Sequence, residues 1–197
     1  SMIDNCKERT ILINGFSNSY AMTCWRIGVL TAPNYLIQQI GLLLESTLSC
    51  VPKFTQYAAL EALKADQEEI SAMVGEFRKR RDYIINRLNK IDGFSCVIPH
   101  GAFYAFPNIT RTNLKSEELA DLLLEKLDIE VCPGTRFGAE GEGVLRMCYA
   151  NSGENVEVEV NGMDKFVGAK KGDDESWVDL LRYVRDVERR SVKMRGE

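Results

Sequence analysis

Ser17-Asn18-Ser19-Tyr20-Ala21-Met22-Thr23-Cys24-Trp25-Arg26-Ile27-Gly28 lies between two short apolar runs, and its reading decides that of the whole chain. Before it, Thr10-Ile11-Leu12-Ile13-Asn14 is apolar and partly β-branched over a strand's length, and Gly15 closes it. A second strand is predicted from Arg26 to Leu30. The segment between carries a hydroxyl at Ser17, an amide at Asn18 and a guanidinium at Arg26, but no primary amine. The Asn18 nitrogen lone pair is delocalised into its carbonyl, so that side chain is neither a nucleophilic amine nor a base near neutral pH.

Outward from this segment, Pro33 opens a predicted helix through about Ser46, with Leu36, Ile37, Ile40, Leu43 and Leu44 on its apolar side. Pro52 and Lys53 open another, rich in strong helix formers from Gln56 to Leu63. The longest predicted helix runs from about Gln67 to Lys90, with Ile70, Met73, Val74, Phe77, Ile84, Ile85 and Leu88 at helical spacing. Its Arg78-Lys79-Arg80-Arg81 run reads as a solvated face.

After Gly93 the pattern changes to short strands at Ser95–Ile98, Phe103–Phe106, Ile129–Cys132 and Val144–Cys148. A helix from Glu117 to Leu127, with Ser116 as its N-cap, separates them. This succession predicts a layered α/β domain. Val156 to Val160 alternates like a strand, while Val156, Val160, Met163 and Val167 also fit one helix face, and Asn161-Gly162 favours a turn. Both readings stay open there. A polar loop is expected from Gly168 to Glu175. A last amphipathic helix is expected over Ser176–Val192, with Trp177, Leu180, Leu181, Val184 and Val187 inward.

The chain has 197 residues, enough to bury a sizeable core, and is 45% hydrophobic and 27% charged, as in ordinary globular proteins. Its net charge of −4 and pI near 5.3 argue against a nucleic-acid or anionic-membrane surface. No apolar run is long enough to span a bilayer, and the N-terminus lacks a basic-then-apolar signal pattern, so a cytoplasmic protein is expected. Cys6, Cys24, Cys50, Cys96, Cys132 and Cys148 form no C-x-x-C pair, and His100 is the single histidine. That inventory argues against a metal site, and the apolar contexts predict buried, reduced thiols. His100 reads as an exposed turn residue, and Met22 and Trp25 as packing residues.

Three further motifs accompany the first segment. They are Pro99-His100-Gly101-Ala102-Phe103-Tyr104-Ala105-Phe106-Pro107, then Val131-Cys132-Pro133-Gly134-Thr135-Arg136-Phe137-Gly138, then Gly141-Glu142-Gly143-Val144-Leu145-Arg146-Met147-Cys148-Tyr149-Ala150. In this order and spacing they resemble four motifs of the class I/II aminotransferases, enzymes that use pyridoxal phosphate. The resemblance covers about residues 8 to 155 and fades through the tail. It departs from the family pattern at Asn18, where the family has the lysine that attaches the cofactor, and at Cys24, where it has glycine. A glycine at a tight turn gives backbone freedom that a larger residue lacks.

The resemblance implies an α/β fold: the aminotransferase-like C-terminal small domain (53–197) with a two-strand and helix remnant of the large cofactor domain (1–52). It implies that Ser17 and Arg26 hold the cofactor phosphate and that Arg146 binds a substrate carboxylate. The ancestral reaction would be amino transfer between an amino acid and a 2-oxo acid. With Asn18 at the lysine position no catalytic residue is assigned, and turnover by this chain is expected to be absent. The alternative is a non-catalytic module pairing with itself or with an intact aminotransferase subunit. The two strands of the remnant would then expose unpaired backbone groups and an apolar face for cover.

Overall fold

The computed structural model describes residues 6–171. They divide into two bodies, one through Met73 and one from Val74, with the division inside α3 (Glu68–Leu88). The tail helix expected at Ser176–Val192 lies outside the described residues.

In the first body, β1 (Leu12–Gly15) and β2 (Gly28–Thr31) pair antiparallel, with Leu12 opposite Thr31 and Gly15 opposite Gly28. The ladder continues into the loop through the Phe16 N–H, which donates to the Ile27 carbonyl at 3.3 Å. Two helices follow, α1 (Asn34–Leu48) and α2 (Lys53–Lys64), each beginning just after a proline, where the preset φ suits a helix start. Phe16, Met22 and Ala59 form a small core, with Tyr20, Ile27, Ala58 and Ala62 against it.

That core corrects two expectations. Met22 packs, but Trp25 is largely exposed. The expected apolar side of α1 is not covered either: no residue of the helix is buried, and Leu42, Leu43 and Leu48 stand in solvent. A two-stranded hairpin offers too little apolar surface to bury a helix as well.

The second body is built on a three-stranded antiparallel sheet in the order β3 (Tyr104–Ala105), β5 (Leu145–Cys148), β4 (Cys132–Pro133). Alternation sends Ala105, Leu145 and Met147 to one face, where they join a core with Ile84, Ile85 and Leu88 of α3. The same core takes Leu119, Leu123 and Leu127 of α4 (Ser116–Leu127), and Val156, Val160, Met163 and Phe166 of α5 (Gly153–Lys171). Tyr104, Arg146 and Cys148 take the other face.

Tertiary contacts decide what the local pattern left open or misjudged. Residues 156–167 are helical, and α5 runs on through Lys171, so the first four residues of the loop expected from Gly168 are helical, and the rest of that expectation lies outside the described residues. Packing of the Val156, Val160 and Met163 stripe overrides the turn tendency of Asn161-Gly162, and the Asn161 side chain accepts from Arg87 on α3. Helix α4 starts at Ser116 itself, so Ser116 is not its N-cap. The first turn is capped from a distance: Glu142 accepts the Ser116 N–H at 2.9 Å and the Ser116 hydroxyl at 3.2 Å. The expected strand at Ser95–Ile98 shrinks to a bridge between Ser95 and Asn108, because among the described residues Val97 and Ile98 meet no partner strand, and both are exposed.

The basic run on α3 is only partly a solvated face. Arg80 donates to the Asn151 carbonyl and Arg81 to the Pro99 carbonyl, so both tie loops to the helix. All the cysteines are free, but burial was expected of them and only Cys96 shows it, while Cys24, Cys50 and Cys148 are exposed. Among the described residues, no helix is long and apolar enough to cross a membrane.

Candidate functional site

The loop joining β1 to β2 brings together the site residues expected near the N-terminus. Ser17 and Arg26 lie one residue beyond the Phe16–Ile27 contact on either strand, so the hairpin register places both at the base of one loop. Ser17 is half-buried and its carbonyl accepts the Met22 N–H at 3.0 Å. Arg26 is exposed, and one of its guanidinium N–H groups donates to the Thr23 carbonyl at 3.1 Å, while among the described residues no side-chain acceptor takes the rest of the fork. Asn18 occupies an exposed turn position.

Left-handed backbone in this loop falls on Ala21 (φ 52°) and Arg26 (φ 51°). Cys24 sits in a short 3-10 turn, Thr23–Trp25, and is not among the positive-φ residues. The backbone at position 24 therefore does not call for glycine, and the left-handed positions of the loop are Ala21 and Arg26. A non-glycine residue in that region costs about 1–2 kcal/mol. Holding it at the arginine fixes where the Arg26 side chain leaves the loop.

In the second body, Arg146 sits on the central strand, on the sheet face turned away from the core. Cys132 is opposite it on β4, while Tyr104 on β3 is opposite Cys148 and so diagonal to Arg146. Diagonal neighbours on one face lie within reach of aromatic and long side chains. The Arg146 guanidinium carbon is 4.7 Å from the Tyr104 ring centroid and 5.0 Å from that of Phe137, which follows β4 in a 3-10 turn, Gly134–Phe137. Among the described residues no carboxylate pairs with Arg146, and its Nε is buried without a hydrogen-bond partner.

The sequence pointed to Arg146 but not to these two rings. A signal was present: Tyr104 is the middle aromatic of Phe103-Tyr104-Ala105-Phe106, and Phe137 is the lone aromatic of its loop. Their meeting at one arginine depends on strand register, which the sequence does not display.

Nearby groups keep the Pro99–Ala102 turn in place. Tyr149 is buried, and its hydroxyl donates to the carbonyl of Ala102, itself at φ 60°. Burial pushes the Tyr149 phenol up from its ordinary value, with the Arg81 charge pulling the other way. Burial likewise raises the Cys96 thiol. His100 is exposed in this turn, as expected.

A carboxylate meeting Arg146 would find a charged, planar donor that no acid among the described residues occupies. The cofactor that the resemblance implies, pyridoxal phosphate, carries a phosphate and an aldehyde. The Ser17 hydroxyl and the Arg26 guanidinium are suitable donors for its phosphate, but Asn18 offers no amine to its aldehyde. The residues present thus fit the phosphate end and do not fit the covalent end.

Residues 2–161 match the family model described as aminotransferase class I and II. The chain is 38% identical over 172 residues to an aspartate aminotransferase of Pyrococcus horikoshii, covering 86% of this chain and 44% of that protein. It is 38% identical over 171 residues to aromatic-amino-acid aminotransferase 2 of Thermococcus litoralis, with the same shares, 86% and 44%. Among solved structures, an aromatic aminotransferase from Pyrococcus horikoshii superposes with a TM-score of 0.82 at 37% identity, over 86% of this chain and 46% of that one. An aspartate aminotransferase from Rhizobium meliloti gives 0.78 at 31% identity, over 82% and 42%. The chain spans less than half the length of these relatives. With the match covering most of its residues and the fold agreeing, the chain belongs to the class I and II aminotransferase family.

Proposed function

We propose that this chain keeps the carboxylate-recognition portion of an aminotransferase and does not itself turn over. The ancestral reaction is amino transfer between an amino acid and a 2-oxo acid. Arg146 would receive the substrate carboxylate, and Ser17 with Arg26 would hold the phosphate of pyridoxal phosphate, the group that in an active enzyme stabilises charge at the substrate α-carbon. The observation that carries the reading is Asn18 in the place of the cofactor lysine. It removes both the attaching amine and the base that moves the α-proton, and general acid–base work of this kind contributes about 10²–10⁴ in rate.

Equilibrium binding of pyridoxal phosphate to the purified chain, followed by borohydride treatment, tests the assignment. Saturable binding weakened by Arg26→Ala, with no lysine labelled, is the expected result. A labelled lysine together with transamination of an amino acid would overturn it.

A second reading, as a self-associating or subunit-binding module, is favoured by the first body. Among the described residues both strands of its hairpin pair only with each other, and Ile13 is 73% exposed and Leu48 71%. An open groove of about 460 Å³ between hairpin and α2 is lined by Phe16, Ile27, Val29, Val51, Ala59 and Leu60. Such an apolar surface is a site for cover by a second copy or by an intact aminotransferase subunit. Sedimentation of the chain, alone and with a full-length relative, separates these. A strict monomer that ignores the relative would remove the second reading and leave the first standing.

A further inference from the structure

We propose that Tyr104 and Phe137 are positioning residues for Arg146, holding its guanidinium between two ring faces so that its donors stay free for a carboxylate. This rests on reading Arg146 as the carboxylate anchor. An arginine on a sheet is ordinarily kept in place by an acid, which also occupies its N–H groups. Here the two rings stand 4.7 Å and 5.0 Å from the guanidinium carbon, and among the described residues no acid pairs with it. Cation–π attraction orients the charge without consuming a hydrogen-bond donor. The Arg146 Nε is buried and, among the described residues, has no hydrogen-bond acceptor, so no hydrogen bond at that atom fixes the side chain.

The clamp is itself supported. Phe103 lies 4.7 Å from Tyr104, and Phe77 on α3 lies 6.0 Å behind Phe103. On the other side Phe106 meets Phe137 edge-on at 5.9 Å. The sheet register brings Tyr104 diagonal to Arg146, and a close backbone approach of Gly134 and Gly141 shapes the loop that carries Phe137. Two elements distant in sequence thus converge on one charge.

The clamp distinguishes itself from plain packing by what can replace a ring. Phe137 is 55% exposed, so replacing it leaves the core intact. Leucine keeps most of the apolar contact but lacks the quadrupole, whereas tyrosine keeps both. The test uses the full chain with ¹⁵N-labelled arginine, the Arg146 Nε–Hε signal assigned with Arg146→Lys, and succinate as the carboxylate probe. In the wild type, ring currents displace the Arg146 Hε signal and succinate shifts it saturably. Phe137→Leu is expected to move that signal toward the value of a free arginine and to weaken succinate roughly fivefold to tenfold. Phe137→Tyr retains both.

If Phe137→Leu leaves signal and affinity unchanged, or Phe137→Tyr loses as much as Phe137→Leu, the clamp is wrong. If succinate never perturbs wild-type Arg146, the carboxylate reading fails. The ring-current displacement and its response to the two Phe137 variants then decide the clamp separately.

Discussion

Replacing Gly134 with alanine should unfold the Arg146 neighbourhood more readily than any surface change. An ideal Cβ at position 134 would stand 2.1 Å from the Gly141 carbonyl oxygen and 2.7 Å from that of Val144. Both obstacles are backbone, so neither can rotate aside, and the turn must retreat by about 1 Å to reach van der Waals distance. Strain of this kind costs about 1–3 kcal/mol. The retreat also pulls on the Gly134 N–H, which donates to the Val144 carbonyl at 2.8 Å where β4 meets β5, and losing that bond adds about 0.5–1.5 kcal/mol. Together they predict a loss of about 2–4 kcal/mol. In urea denaturation followed by far-UV circular dichroism, this lowers the midpoint by about 1–2 M. Gly75→Ala is the matched control: nothing lies within 4 Å of its Cβ in mid-α3, and it should stabilise by about 0.5–1 kcal/mol. A Gly134→Ala protein as stable as the wild type would refute the steric argument, as would a Gly75→Ala protein destabilised to the same degree.

Three further substitutions test the packing and the charges. Leu123→Ala, at a fully buried position of α4, should cost about 2–5 kcal/mol in the same assay, and a loss well below that range would mean the core around α4 collapses to refill the space. Glu142 has its carboxyl held below the usual range, chiefly by the Ser116 N–H, then by the Gly143 N–H and the Ser116 hydroxyl. Its folded value lies below the ordinary 4.5, so its contribution is present above that value and fades as pH falls through the folded one. Glu142→Gln should therefore show a deficit near neutrality that closes in acid, and a deficit constant across the titration would contradict the cap. Glu159 runs the other way: burial raises its carboxyl, against a hydrogen bond from Asn151. Wild-type stability from this group is full below the ordinary value and declines as pH rises through the folded one. Glu159→Gln should gain on the wild type from acid toward neutrality, which paired denaturation curves would show or exclude.

By itself, the sequence determined what depends on spacing along one element. The helices at 34–48 and 68–88 were legible from apolar residues recurring at helical period, because that period places them on one side whatever else the chain does, and the helix at 53–64 from its run of strong helix formers. The four ordered motifs likewise marked the family, and Asn18 showed the missing amine without any coordinates. Tertiary structure decided whatever depends on two distant segments meeting. Residues 156–167 carry both a strand-like and a helical pattern, and contact with α3 and α4 selects the helix. Ser116 offers a local hydroxyl, yet the cap on α4 comes from Glu142 across the loop. The apolar side of α1 was predicted correctly as a stripe but not as an exposed one, since burial depends on what stands opposite. Arg146 was visible as a charge in a motif, whereas its two aromatic walls follow from the pairing of β3 with β5 and from the loop after β4. Side-chain period is a local property of the backbone; register and long-range approach exist only once the chain has folded back on itself.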